Sequence, residues 1–183
     1  QLKNYRGPHL EAVGAINSSS EHLLHIVNEV LDYSRISSGS LSLVKEPFTL
    51  FSVLREVESA MRIQAERKRL TLLLDLEKAS DFNLVGDAFR LRQILYNLIG
   101  NAIKFTAEGS VTIIARFLSN DSVLELEVVD TGIGISKEQQ GRLFQPFMQA
   151  SSVTARGQEG TGLGLAITKQ LVSMLGGEIS FES

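Results

Sequence analysis

The chain has 183 residues, 43% of them hydrophobic and 21% charged, with a formal net charge of -3. This suits one compact domain with an arm and excludes a disordered chain. The slightly acidic balance, free of any Lys/Arg-rich run, excludes an electrostatic footprint for nucleic acid or an anionic membrane surface, and the lack of Cys excludes disulfide and thiol chemistry. No apolar run approaches the roughly 20 residues of a membrane span, and no signal-peptide pattern opens the chain.

Gly7-Pro8 opens a long helix over about residues 8 to 36, because proline suits the first helical position, where its missing N–H is no loss. Leu10, Val13, Leu24, Val27 and Leu31 follow a near-heptad frame that Ile16, Leu23 and Val30 widen to a bundle-type face. No second helix lies beside it in the sequence, so its apolar face predicts a partner, most simply in a homodimer. After Gly39 the period changes, which places a boundary near Ser40 between an arm, 1–40, and a domain, 41–183.

Leu41 and Leu43 alternate with serines as a short strand; Pro47 then punctuates, and Thr49 caps a helix over about 50–67 with Leu50, Leu54, Val57 and Met61 on one face. A strand follows over 70–76. Residues 87–105 read as a helix with Leu91, Leu95, Leu98 and Ala102 as its apolar set, and 111–118 and 123–130 as a hairpin around Ser119-Asn120-Asp121-Ser122. A glycine-rich, weakly patterned stretch runs to Gly160, followed by a helix over 161–175 and a strand over 177–181.

Three constellations point to a nucleotide. Asn97, Asn101 and Lys104 recur at i, i+4 and i+7, placing two amides and an ammonium on one helix face. Lys104 alone reads as solvent-facing, but asparagine is a mediocre helix former, and amide oxygens suit Mg²⁺ beside phosphate. Asp130-Thr131-Gly132-Ile133-Gly134-Ile135 ends a strand with a carboxylate that could accept from an adenine amino group; alone, it equally fits a strand entering a tight turn. Gly160-Thr161-Gly162-Leu163-Gly164 runs into a helix, whose free N–H groups and dipole favour phosphate. It is neither a Walker loop, lacking Lys-Ser/Thr, nor a dinucleotide fingerprint, lacking a strand just before it. Phe144 and Phe147 flank Gln145-Pro146, and the polar stretch 149–159 has the length of a lid.

In order and spacing these motifs resemble the sensor histidine kinases of the gyrase and heat-shock-chaperone ATPase superfamily, over the whole chain. GDAFRLRQILYNLIGNAIKFT resembles the N box, DTGIGI the G1 box, LFQPF the F box and GTGLGLAI the G2 box. The resemblance implies an α+β, Bergerat-type two-layer sandwich, a mixed sheet under three helices, preceded by a long dimerisation helix. It implies Mg²⁺ at Asn101 and Asn97, phosphate at Lys104, and adenine read by Asp130 with Gly132 and Gly134 shaping its pocket. Gly160, Thr161, Gly162, Leu163 and Gly164 would then approach the phosphates, Phe144 and Phe147 would border the ATP site, and Arg156 would reach the terminal phosphate.

HLLHIVNEVLDYSRISSGSL resembles the second helix of the family's dimerisation and phosphoacceptor hairpin. The family's phosphorylated histidine lies on the first helix, before an acidic residue, Arg, Thr and Pro; His9, His22 and His25 lack that context. The family also continues past the position of Ser183 through a turn into one more strand. A response-regulator receiver domain is the implied partner, and a bacterial inner-membrane sensor with this part on the cytoplasmic side is the implied parent. Two rivals remain: a nucleotide-binding signalling module without kinase activity, and a gyrase-type ATPase clamp. The clamp needs a glutamate four residues before the metal-binding asparagine, where this chain has Asn97.

Overall fold

The computed structural model describes residues 6–76, 82–118, 123–148 and 161–183. Helix α1 spans Arg6–Ser37, β1 Glu46–Thr49, α2 Leu50–Arg67, β2 Thr71–Asp75, β3 Asn83–Gly86, α3 Ala88–Phe105, β4 Ser110–Leu118, β5 Val123–Asp130, α4 Lys137–Gln140 and α5 Gly164–Met174. The architecture is the α+β sandwich expected. Strand β4 sits between β2, which runs parallel to it, and β5, which runs antiparallel, while β1 and β3 form a separate antiparallel pair. Helices α2 and α3 pack on the sheet, and α5 packs beside them against α3 and α1.

Alternation decides which face of β4 meets the helices: Val111, Ile113 and Ala115 are fully buried, with half-buried residues between them. They pack against Leu50, Val53, Leu54, Val57 and Met61 of α2 and against Leu95, Ile99, Ala102 and Ile103 of α3. The predicted α2 stripe is buried in full. On α3 the buried set is Ile94, Leu95, Ile99, Ala102 and Ile103, with Leu91 and Leu98 only partly covered. The shift has a cause: α3 lies between two cores. Leu95 and Ile99 face the sheet, whereas Ile94 joins Leu163, just before α5, and Ile167 and Leu171 on it, with Tyr33 and Ile36 of α1 packed alongside.

Several local expectations are corrected. Residues 41–43 form no strand; Leu41 is buried as coil, and the strand begins at Glu46, with Pro47 opposite Val85 in a two-stranded pair. Proline is tolerated there because an edge position demands no ladder donor. Strand β3 carries no signal strong enough to predict: it is four residues long, with only Leu84 and Gly86 half-covered. Thr49 sits at the predicted cap position, but its hydroxyl donates to Asn83 Oδ1 (3.1 Å), and no side-chain cap forms.

Helix α5 begins three residues later than predicted, because Gly162 adopts φ +73° and breaks the helical path. Residues 177–183 are not a strand. They are tied by Gly177 N–H to Val172 O (2.9 Å) and at Ser183, with no ladder partner among the described residues. The hairpin strands lie where predicted, while the turn residues 119–122 fall outside the described residues.

Candidate functional site

Helix α3 starts at Asp87, whose Oδ1 accepts the Arg90 N–H and whose Oδ2 accepts the Val44 N–H, both at 3.0 Å. A buried carboxylate is satisfied this way at the positive end of a helix. The helix then presents Asn97, Asn101 and Lys104 along one face. Asn97 Nδ2 donates to Thr168 Oγ1 on α5 (2.7 Å), and Asn101 Nδ2 donates to Asn97 Oδ1 (3.3 Å). Asn97 therefore ties α3 to α5, a role its spacing did not reveal.

The relay orients both amides. With its nitrogen turned to Asn97, Asn101 keeps its oxygen as an acceptor that no donor among the described residues reaches. One fixed amide oxygen fits Mg²⁺, which takes few protein ligands and completes its shell with water and phosphate oxygens. No cluster of three His, Cys, Asp or Glu suited to a metal occurs among the described residues, so an all-protein cage is not the alternative there.

Lys104 lies at the end of α3, its ammonium 5.2 Å from the Phe105 ring centroid. Burial, and then repulsion from Lys68, lowers its pKa below the ordinary lysine range. A cation held at this cost is one that an anion would relieve.

Asp130 closes β5 opposite Val111. Its Oδ1 accepts the Gly132 N–H (2.8 Å), which leaves the exposed carboxylate with a second oxygen for a ligand. Gly132 must be glycine: a Cβ there would meet Phe105 O and Asp130 Oδ1 at 2.7 Å. Gly134 has φ +68°, and Ile133 N–H donates to Phe105 O (3.4 Å). The Asp130 loop thus rests on the last turn of α3, close to Lys104.

The third predicted element is split. Gly162 crosses the Phe147–Met148 backbone so closely that a Cβ would lie 2.7 Å from Met148 O. Gly164 meets Asn97, whose Oδ1 would lie 2.3 Å from an added Cβ. These glycines bring the start of α5 onto α3, so the helix's first free N–H groups open beside the asparagines. Thr161 Oγ1 accepts the Leu163 N–H (3.1 Å), while the Leu163 side chain is buried in the core. Phe144 packs edge-on against Phe181, with Lys169 over its ring. Phe147 is two-thirds exposed, has φ +62° and meets the Tyr33 ring. Arg156 and Gly160 lie outside the described residues.

A single open cavity is lined by Asn97, Asn101, Lys104, Thr161, Gly162 and Gly164 together. Asp130, Gly132 and Gly134 are not in its wall; Phe105, which is, connects them to it.

Residues 86–183 match the family model described as histidine kinase-, DNA gyrase B- and HSP90-like ATPase. The chain belongs to this ATPase family. Among its relatives is the signal transduction histidine-protein kinase BarA of Escherichia coli (strain K12), 45% identical over 174 residues, covering 93% of this chain and 19% of BarA. Sensor histidine kinase GacS of Pseudomonas protegens is 44% identical over 95% of this chain and 19% of its own. The chain thus spans about a fifth of the length of the curated relatives it matches. Among solved structures, full-length ShkA in complex with AMPPNP superposes with TM-score 0.76 at 33% identity, over 91% of this chain and 34% of ShkA.

In this member of the ATPase family the helical arm also reaches the site, which the sequence did not disclose. Arg90 on α3 pairs with Asp32 of α1 (3.2 Å), whose carboxylate also accepts Gln93 Nε2 (2.7 Å). Thr161 donates its hydroxyl to Glu29. Glu29, Asp32 and Tyr33 lie within five residues, so one face of α1 meets α3, the Thr161 loop and Phe147. A polar flank beside an apolar heptad stripe was the available signal, but solvation explains such a flank equally well. No described helix is long and apolar enough to cross a membrane. His9, His22 and His25 lie on α1, their side chains outside the described set.

Proposed function

We propose that residues 41–183 bind Mg-ATP as the catalytic part of a sensor histidine kinase, and that residues 1–40 form a dimerisation arm. The observation that carries this reading is the fixed amide pair: Asn101, its nitrogen donated to Asn97, lines the same cavity as Thr161, Gly162 and Gly164 at the start of α5. Mg²⁺ would supply charge neutralisation for the phosphates. Asn101 would hold it, with Asn97 orienting Asn101 or adding a second contact. Lys104 and the first turn of α5 would meet phosphate oxygens, and Asp130 would read the adenine amino group.

The chain's own contribution is positioning and charge, which is most of what phosphoryl transfer requires. The nucleophile would be a histidine outside this sequence, since His9, His22 and His25 lack the family's phosphoacceptor context. Asn97, where a gyrase-type clamp would need its glutamate, disfavours water activation and hydrolysis. The exposed apolar residues of α1 support a homodimer through that helix. A receiver domain is the proposed downstream partner, in line with the solved complex of histidine kinase ThkA with response regulator TrrA, a fold neighbour at 22% identity and TM-score 0.67 over 97% of this chain and 46% of that one. A membrane-anchored bacterial parent with this part in the cytoplasm completes the proposal.

The test is calorimetry of ATP with and without Mg²⁺ on this chain, Asn101→Ala and Asp130→Asn. Binding by the parent, weakened at least roughly tenfold in each variant, is expected from loss of a charged or metal contact. A folded parent that binds no nucleotide would overturn the reading in favour of a signalling module without a working ATP site.

A further inference from the structure

Lys68 is the C-cap of α2, followed by Arg69 at φ +60°, where the chain turns into β2. Its side chain does not follow the turn into solvent. It runs to the end of α3, 35 residues on, where Nζ donates to Ile103 O at 2.8 Å, Lys104 O at 2.7 Å and, more weakly, Thr106 O at 3.4 Å. An ammonium has three donors, and the last turn of a helix has carbonyls without intrahelical partners. Lys68 matches the two, and its charge lies at the negative end of the α3 dipole.

The turn it clasps joins the two halves of the site. Lys104 is one of the clasped residues. Between Lys104 and Thr106 stands Phe105, whose carbonyl accepts the Ile133 N–H and crowds Gly132. Thr106 is fully buried, its hydroxyl donating back to Ala102 O (2.7 Å). If the turn frayed, Lys104 would lose its place beside Asn101 and the Asp130 loop would lose its seat together. Lys68 lines the same cavity as Asn101 and Lys104, yet it spends its donors on backbone.

We propose that Lys68 is a positioning residue of the nucleotide site, locking the C-terminal turn of α3 so that the phosphate-facing and adenine-facing groups address one ligand. The proposal deepens the ATP-binding reading and rests on it. Holding two ammonium groups near each other is unfavourable, and repulsion from Lys68 is one cause of the lowered Lys104 pKa. The clasp therefore acts through geometry and is not a substitute for the phosphate contact of Lys104.

Lys68→Met keeps the length and removes the donors; Lys68→Arg keeps charge and donors. With this chain, Mg-ATP and Mg-ADP titrations should show Lys68→Met weakened roughly tenfold for both nucleotides, the size of one charged hydrogen bond, and Lys68→Arg largely restored. Amide hydrogen exchange without nucleotide should speed up at Thr106 and Ile133 in Lys68→Met while the α5 amides keep their rates. Unchanged affinity in a folded Lys68→Met chain would overturn the proposal. So would a loss confined to ATP with exchange unaltered, which would make Lys68 a direct ligand of the terminal phosphate. If the Met variant does not fold, Lys68→Gln, which keeps a shorter donor, takes its place in both measurements. Should the parent chain bind no nucleotide, the ATP reading fails, and the exchange comparison still decides whether Lys68 braces the loop.

Discussion

Helices α1 and α3 are both amphipathic, and they are used in opposite ways. In α3 most of the apolar residues are covered, Phe89 at its first turn excepted: Leu95 and Ile99 are buried against the sheet, Ile94 against α5, and the polar face carries Asn97 and Asn101. In α1 the apolar residues Val13, Ile16, Leu23 and Leu24 all remain more than 60% exposed, and among its described side chains those that join a core are Tyr33 and Ile36 in its last turns. A helix enclosed on several sides can hold side chains in fixed geometry, as a ligand site requires. One left bare along a stripe is built to meet another surface.

The sharpest test of this contrast is a pair of matched truncations. Leu95→Ala should cost about 2–5 kcal/mol in chemical denaturation, through lost burial and a residual cavity. Leu24→Ala should change monomer unfolding by less than about 0.5 kcal/mol, as at an exposed position, while weakening self-association in sedimentation or light scattering. Equal effects on unfolding would mean that α1 is part of the domain's own core, and the contrast would collapse.

A smaller effect is expected where the two helices meet. Asp32 and Arg90 are mostly shielded, with side-chain exposures of 20% and 13%. Asp32→Ala removes the acceptor for Arg90 and Gln93 and should cost about 1–2 kcal/mol. Exchange should then rise in the last turns of α1, with α3 protected as before. A matching rise in α3 would show that the arm, and not the sheet, holds α3 in place.

The smallest effect concerns pH. Lys104 has its pKa lowered first by burial and then by Lys68. Charging it in the folded chain is therefore penalised at low pH, and the penalty fades as pH rises through the lowered pKa toward the ordinary lysine range. ATP phosphates reward the charged form. ATP affinity should be fullest below the lowered pKa and decline severalfold across that same window as the ammonium is lost. Lys104→Met should bind more weakly at neutral pH and show a flatter profile; an unchanged alkaline decline in that variant would assign the titration elsewhere.

Much of the site was readable because its residues are locally strange. Two asparagines inside a helix and glycines at fixed offsets are poor choices for helix or strand formation, and such violations mark function. The helix periods of α2 and α3 and the β4–β5 hairpin were legible for the opposite reason, since pattern and propensity agree there. The short strands β1 and β3 were not: four residues beside a proline carry too little pattern, and their existence depends on pairing across nearly 40 positions. The predicted strand over 177–181 failed similarly, because alternation creates no strand without a ladder partner.

By itself the sequence determined helices α2 and α3, the β4–β5 hairpin, the asparagine face and the positions of the glycine loops, all of which follow from spacing along a chain of known geometry. Tertiary structure alone decided that Asn97 is tethered by Thr168, that Glu29 and Asp32 of the arm reach the site, and that Lys68 clasps the end of α3. Each of these contacts joins residues far apart in the chain. A side chain's donors and acceptors can be counted from its identity, but which partner they meet depends on packing, because burial selects among the partners that the folded chain brings within about 3 Å.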